Sequence, residues 1–358
     1  MKYSPLALIA ELTHRCPLHC VYCSNPLEMQ ARANELSTDA WKKVFDEAAE
    51  MGVLQLHLTG GEPTAREDIV ALIEHGRKKK LYINLITSGV GLTEAKLKTY
   101  CDAGLDHIQL SFQDSIAEKA NEFAGTKAHA AKIKAAELIK KFPLAFTMNI
   151  VVHRKNLDRL EEMIALGESL NADRLEIAHV QYYGWAFKNR DALLPTQEQV
   201  KKSVAIIQKA KDRLKDKLRI DFVLPDYYAK FPKPCMGGWG QKSLLIDPAG
   251  RVLPCHSAMV IKGLEFENVK ENSLQAIWEK SDAFERFRGE EWMQEPCRSC
   301  DRRGQDFGGC RCQAAMIAGD AQATDPVCSL APTRTLIDKK VHSESSLLEE
   351  PNWTYRKL

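Results

Sequence analysis

The chain has 358 residues and a formal net charge of +2, enough length for one large domain plus a smaller one and a charge balance that points neither to nucleic acid nor to a membrane surface. No apolar stretch reaches transmembrane length and nothing before Leu6 reads as a signal peptide, so a cytoplasmic protein is expected. Its 11 cysteines would be kept reduced there and are read as metal ligands rather than disulfides, apart from Cys101, expected to be a buried, inert thiol.

In chain order, apolar runs alternate with amphipathic stretches as far as about residue 220. The predicted strands are Leu6–Leu12, Leu54–Thr59, Tyr82–Thr87, His107–Phe112, Ala145–Val152 and Arg174–Val180. Between them lie predicted helices over Thr38–Met51, Glu67–Lys80, Thr93–Ala103, His129–Lys141, Leu157–Leu170 and Thr196–Lys215. Their apolar residues recur at helical spacing, as in Ile69, Leu72, Ile73 and Gly76, and Ser37, Thr93 and Thr196 are candidate N-caps. Tandem strand–helix units imply a parallel sheet with right-handed crossovers, either open and doubly wound or a partial barrel.

Beyond residue 222 the alternation stops and Pro225, Pro232 and Pro234 break the periodicity. One hairpin (Ser243–Asp247, a Pro-Ala-Gly turn, Arg251–Leu253) and one helix over Leu274–Arg288 are expected. The division predicted is 1–222, 223–332 and a polar, loosely packed tail over 333–358.

Two cysteine fields carry the chemistry. The first is Cys16-Pro-Leu-His-Cys20-Val-Tyr-Cys23, a C-x3-C-x2-C array at the end of the first strand. Three thiolates can hold three corners of a 4Fe–4S cubane and leave one iron open to a ligand. A zinc site completed by His14 or His19 is the competing reading. The second field runs from Cys235 through Cys255, Cys297, Cys300, Cys310 and Cys312 to Cys328. A segment so poor in regular structure needs metal for much of its folding free energy, as clusters or as two zinc sites using Asp306 or His256.

The first array, with Tyr22 before its last cysteine, resembles the signature of the radical S-adenosylmethionine (SAM) enzymes, and so does Gly60-Gly61-Glu62-Pro63 after the second strand. The resemblance implies a partial (β/α)6 barrel with its site at the strands' C-terminal ends. It further implies a 4Fe–4S cluster on Cys16, Cys20 and Cys23 that binds SAM, with Gly60, Gly61 and Glu62 at the methionine amino group. Ser88 and Ser111 are expected as further SAM contacts, Tyr22 beside the adenine, His153 and His179 as pocket or core histidines, and Gly184-Trp185 along a peptide channel.

The second field resembles the auxiliary-cluster domain of the SPASM group, whose pattern is C-x9–15-G-x4-C, C-x2-C-x5-C-x3-C and a final C. Cys235, Gly250 and Cys255 match its first part; Cys297, Cys300, Cys310 and Cys328 match the rest. Asp306 stands where the group has a cysteine, and Cys312 is an addition. By that resemblance one auxiliary iron–sulfur cluster takes Cys235, Cys255, Cys310 and Cys312, and another takes Cys297, Cys300, Cys328 and Asp306. Asp306 would tune the second cluster's potential or, leaving iron, act as a base.

Asp306, the run Phe307–Cys312, Ser111–Ser115 and Ala124-Gly125-Thr126 are most similar to the peptide-modifying enzymes of pyrroloquinoline quinone (PQQ) synthesis. Many SPASM members have an arginine, contacting the SAM carboxylate, where this chain has Ala124. The resemblance implies a C–C bond between a glutamate γ-carbon and a tyrosine ring of a small ribosomal precursor peptide, a separate peptide-binding chaperone and a flavodoxin-like electron donor. Other SPASM maturases, forming thioether or formylglycine, are the alternative.

Overall fold

The computed structural model describes residues 3–343 and 353–357. Seven parallel strands form the barrel wall: β1 (Ala7–Thr13), β2 (Gln55–Gly60), β3 (Tyr82–Thr87), β4 (His107–Phe112), β5 (Ala145–Val152), β6 (Arg174–His179) and β7 (Arg219–Val223). They lie in sequence order, β7-β6-β5-β4-β3-β2-β1, and the wall stays open. It is a partial barrel.

Helices follow the first six strands because the intervening sequence has an apolar stripe, in some cases begun by a side-chain cap. Helix α1 (Thr38–Glu50) starts where the Ser37 hydroxyl accepts from the Ala40 amide at 3.2 Å, and buries Trp41, Val44, Phe45 and Ala48. Helix α2 (Ile69–Lys78) lies close on the sheet because Gly76 carries no side chain; a Cβ there would sit 3.0 Å from Leu56 and 3.2 Å from Ile83. Helices α3 (Glu94–Asp102), α4 (Ala117–Ala124), α5 (His129–Ile139) and α6 (Leu160–Ser169) follow, and Thr196 starts the helix Gln197–Leu214 with a capping box.

Apart from added helices such as α4, the structure departs from the sequence reading in five places. Strand β7 is a seventh member of the wall; its Asp221 pairs with Arg174 of β6, a cross-strand contact that a charged run does not advertise. The hairpin β8 (Ser243–Ile246) and β9 (Val252–Leu253) does not stand apart. Strand β8 pairs in parallel with β1, Ala7 through Ala10 against Ser243 through Ile246, and brings the sheet to nine strands. The helix expected over Leu274–Arg288 is two, Leu274–Lys280 and Asp282–Glu285, divided at Ser281, whose extended backbone cannot continue a helix. Cys101 is half-buried rather than buried.

The tail is the fifth difference. Helix Arg334–Ser343 is followed, past residues outside those described, by Trp353–Lys357, which dock on the cysteine loop with Arg356 buried. A lone arginine among polar residues reads as surface in a sequence, whereas here backbone carbonyls receive it. No helix among the described residues is long and apolar enough to cross a membrane.

Candidate cofactor centres

The C-terminal ends of β1 to β5 surround a cavity of about 210 Å³. Cys16, Cys20 and Cys23 line it, with Tyr22, Gly60, Gly61, Ser88 and Ser111. The cysteine loop leaves β1 and is pinned at its middle to the end of α4. The His19 amide donates to Ala124 O at 2.8 Å and the Val21 amide to Phe123 O at 3.1 Å. Burial pushes the Cys16 thiol up to about 11 and Cys20 to about 12, and raises Cys23 as well. These thiols are therefore not ionised by their surroundings; a metal centre must displace their protons, and supplies the charge that would otherwise be missing.

The Gly60-Gly61 pair also has a structural job. The pair does line the cavity, but a Cβ on Gly60 would lie 2.3 Å from Thr13 O and one on Gly61 2.4 Å from Arg15 O. The turn folds directly onto the backbone that leads into Cys16. The Gly61 amide donates to Thr13 O at 2.5 Å and the Glu62 amide to Arg15 O at 2.6 Å. Gly61→Ala is accordingly expected to displace the cysteine loop. About four iron atoms per chain, one cubane, should be missing after reconstitution, read by iron analysis, because a backbone contact cannot rotate away.

Glu62 is buried and accepts five hydrogen bonds. Oε1 receives the Thr64 amide (3.1 Å), Thr64 Oγ1 (2.7 Å) and Thr87 Oγ1 (2.7 Å); Oε2 receives the Ser88 amide (2.7 Å) and Ser88 Oγ (2.6 Å). The carboxylate ties the Gly-Gly-Glu-Pro turn to the end of β3. With its proton given to Glu62, the Ser88 hydroxyl can offer a ligand only an acceptor.

Further groups stand in or just behind the cavity wall, and of these Lys132 was missed from sequence. Gln113 and Asn149 face the cavity from the ends of β4 and β5, and the buried Gln113 Oε1 has no hydrogen-bond partner. Lys132 of α5 is fully buried and donates to Ser88 O (3.0 Å) and Ser111 O (2.8 Å). Burial takes its ammonium down to about 8, against the opposing pull of the nearby thiols and Glu62. In sequence it is one lysine among several on an amphipathic helix. Three thiols, an orphan amide oxygen and strand-end polar groups around one space fit a cluster with a polar organic ligand.

His14 and His19, the alternative zinc ligands, are engaged elsewhere: His14 Nδ1 accepts from the Gln30 amide (2.9 Å) and His19 Nδ1 meets Arg356 O (2.7 Å). His153 and His179 are core residues. Burial lowers each to about 3, so both are neutral. His153 stacks edge-on against Phe123 at 4.7 Å, and neither ring nitrogen of His179 has a hydrogen-bond partner. Since the unfolded chain takes up these protons near pH 6.5 and the folded one only near 3, stability is lost as pH falls through that window. Each histidine should cost about 2 kcal/mol at pH 5. His179→Leu is expected to flatten the fall in melting temperature between pH 7.5 and 5; an unchanged fall would remove His179 as its source.

Gly184 and Trp185 do not border an open channel. A Cβ on Gly184 would lie 2.0 Å from Asn25 O, Trp185 is buried, and the Ala186 amide donates to Cys23 O at 3.1 Å. They buttress the cysteine loop.

The second field folds into two groups. Cys255 and Cys312 bring their sulfurs within 3.5 Å, Cys310 shares hydrogen bonds with Cys235 and Cys312, and Tyr183 OH lies 3.0 Å from Cys310 Sγ. Those donors hold the Cys310 thiol well below its ordinary range. Asp325, absent from the sequence reading, accepts the Cys310 amide at 2.7 Å and is raised to about 7 by burial. Separately, Cys297, Cys300, Asp306 and Cys328 line one small cavity. Asp306 is buried at the end of a short helix, its oxygens facing the Gly308 amide (3.1 Å) and Arg302 Nε (3.3 Å). The residues that the SPASM resemblance places together thus lie near one another in each group. His256 is turned to Glu11 of β1 at 2.8 Å; burial would raise the Glu11 carboxyl, but bonds from His14 and His256 take it down to about 2.

Comparison with known proteins agrees with this layout. Residues 10–167 match the radical SAM superfamily and residues 235–301 the SPASM iron–sulfur cluster-binding domain. The chain is 53% identical over 356 residues to the PqqA peptide cyclase of Methylobacterium nodulans, covering 99% of this chain and 94% of that one. It is 52% identical over 354 residues to the PqqA peptide cyclase of Gluconobacter oxydans, covering 99% and 98%. Among solved structures, Streptococcus suis SuiB bound to S-adenosylmethionine superposes with a TM-score of 0.76 at 18% identity, over 92% of this chain and 78% of that one. Native anSMEcpe with bound AdoMet gives 0.65 at 16% identity, over 95% and 97%.

Proposed function

Because the chain belongs to the radical SAM enzymes with a SPASM domain, and among them to the PqqA peptide cyclases, we propose that it joins a glutamate γ-carbon to a tyrosine ring in a PqqA-type precursor peptide, an early step of PQQ synthesis. The observation that carries the reading is full-length similarity, at about half of all positions, to relatives named for that peptide. A 4Fe–4S cluster on Cys16, Cys20 and Cys23, with SAM at its open iron, would supply a 5′-deoxyadenosyl radical. The peptide gives one hydrogen atom from the glutamate γ-carbon to that radical. After ring attack it loses one proton and one electron to restore aromaticity, so the product is lighter by two hydrogens.

The remaining assignments follow from that chemistry. Cys235, Cys255, Cys310 and Cys312 would hold one auxiliary cluster; Cys297, Cys300, Cys328 and Asp306 would hold the other and help accept the electron. Gly60, Gly61, Glu62, Ser88, Ser111 and Tyr22 would shape the SAM site, and Asp306, off iron, would serve as a base. The barrel over 1–222 would house the radical step and 223–332 the electron acceptors. What the protein itself contributes is position: it holds the two side chains together and keeps water out. A separate peptide chaperone and a flavodoxin-like reductant complete the system, acting in the cytoplasm. Incubating the reconstituted enzyme anaerobically with SAM, reductant, precursor peptide and chaperone tests this by tandem mass spectrometry. A peptide two hydrogens lighter and unfragmented between Glu and Tyr is expected; SAM cleavage with an unaltered peptide would sink the substrate assignment.

A further inference from the structure

The segment Trp353–Lys357 is strapped over the cysteine loop by bonds along its length. Asn189 Oδ1 accepts the Thr354 amide (2.8 Å), while its Nδ2 donates to Thr354 O (2.8 Å) and to Val21 O (2.7 Å). Trp353 meets Phe123 edge-on at 5.6 Å. Tyr355 lies over Gly125, where a Cβ would come within 2.8 Å of its ring. The Arg356 amide donates to His19 O at 3.2 Å, and Arg356 O faces His19 Nδ1 at 2.7 Å. These contacts carry the Arg356 side chain, 2% exposed, inward past Leu18 O (2.8 Å), His14 O and Met29 Sδ (3.1 Å).

Two features of Arg356 go beyond holding a loop. Its Nε is buried and has no hydrogen-bond partner. It is also, among the described residues, the one basic side chain lining the cavity that the three thiols share. A buried guanidinium N–H left unpaired is costly unless a ligand takes it, and an in-plane N–H suits a carboxylate. Ala124, buried beneath the strap, brings no charge of its own. We propose that Arg356, delivered by the C-terminal strap, is a cofactor-binding residue whose guanidinium pairs with the α-carboxylate of SAM. This rests on the reading of the cavity as the SAM site.

The test measures equilibrium binding of SAM, and of decarboxylated SAM, to the cluster-loaded full chain without peptide or turnover. Arg356→Gln is expected to weaken SAM about tenfold or more at unchanged iron content, and to leave decarboxylated SAM within about twofold of wild type. Arg356→Lys, which keeps the charge, should keep its iron and lose at most about threefold in SAM affinity. Equal SAM binding by wild type and R356Q overturns the proposal. So does an equal loss for both ligands, or loss of iron from R356Q, since the guanidinium would then serve the loop and not the cofactor. Failure of wild type itself to bind SAM would instead sink the reading of the cavity.

Discussion

Replacing Cys16, Cys20 and Cys23 together by alanine is expected to abolish SAM cleavage, leaving less than about one part in a thousand of wild-type 5′-deoxyadenosine formation. The three thiols stand around one cavity at the open ends of β1 to β5, and the two sulfur groups of the second field lie apart from it. Iron should therefore fall by about four atoms per chain, one cubane, while the auxiliary absorption persists. Iron and sulfide analysis beside a 5′-deoxyadenosine assay reads both at once. Retained cleavage would remove the array from the chemistry; loss of all iron would mean that the second field does not load on its own.

Glu62→Gln should be the next most damaging change, although it alters one atom. Five donors point at the carboxylate, three on Oε1 and two on Oε2. An amide in its place puts an NH2 group against N–H and O–H donors on one side. A charge-assisted hydrogen bond contributes about 1.5–3 kcal/mol, and losing one while leaving a buried donor unmatched costs about as much again. The expected outcome is a fall of about 5 °C in the anaerobic melting temperature. SAM affinity should weaken about a hundredfold, as the end of β3 and Ser88 shift. A variant that melts normally and binds SAM weakly would place Glu62 at the ligand alone. One that melts early with intact affinity would leave it only the turn.

The barrel was legible because its signals are local. Six of its seven strands are apolar runs and their helices carry stripes such as Trp41, Val44, Phe45 and Ala48 beneath a Ser37 cap. The cysteine fields were legible because cysteine spacing is written in the chain, and the fold gathers Cys297, Cys300, Asp306 and Cys328 around one cavity although they span residues 297 to 328. What escaped depends on contacts between distant residues. The β1–β8 pairing joins positions more than two hundred apart, and no pattern within Ser243–Ile246 names its partner. Lys132 becomes a buried cation only once the carbonyls of Ser88 and Ser111 converge on it. Arg356 is similar: its setting is made by His14, Leu18 and His19, which lie at the other end of the sequence. The glycine pair shows the reverse case, where residue type was informative and its close approach to the Thr13 and Arg15 backbone was not.

The pairing of β8 with β1 bears on how such proteins can be taken apart. Strand β1 delivers Cys16 at its end, and its free edge is covered by the first strand of the second cysteine field. A chain ended near residue 222 would leave that edge bare beside the radical site, a template for another molecule's strand. Exchanging second fields between relatives is therefore a graft onto the barrel wall, not a swap of beads on a string. Chimeras that keep β8 with its native β1 should stay monodisperse; those joined upstream of Ser243 with a foreign β8 should aggregate.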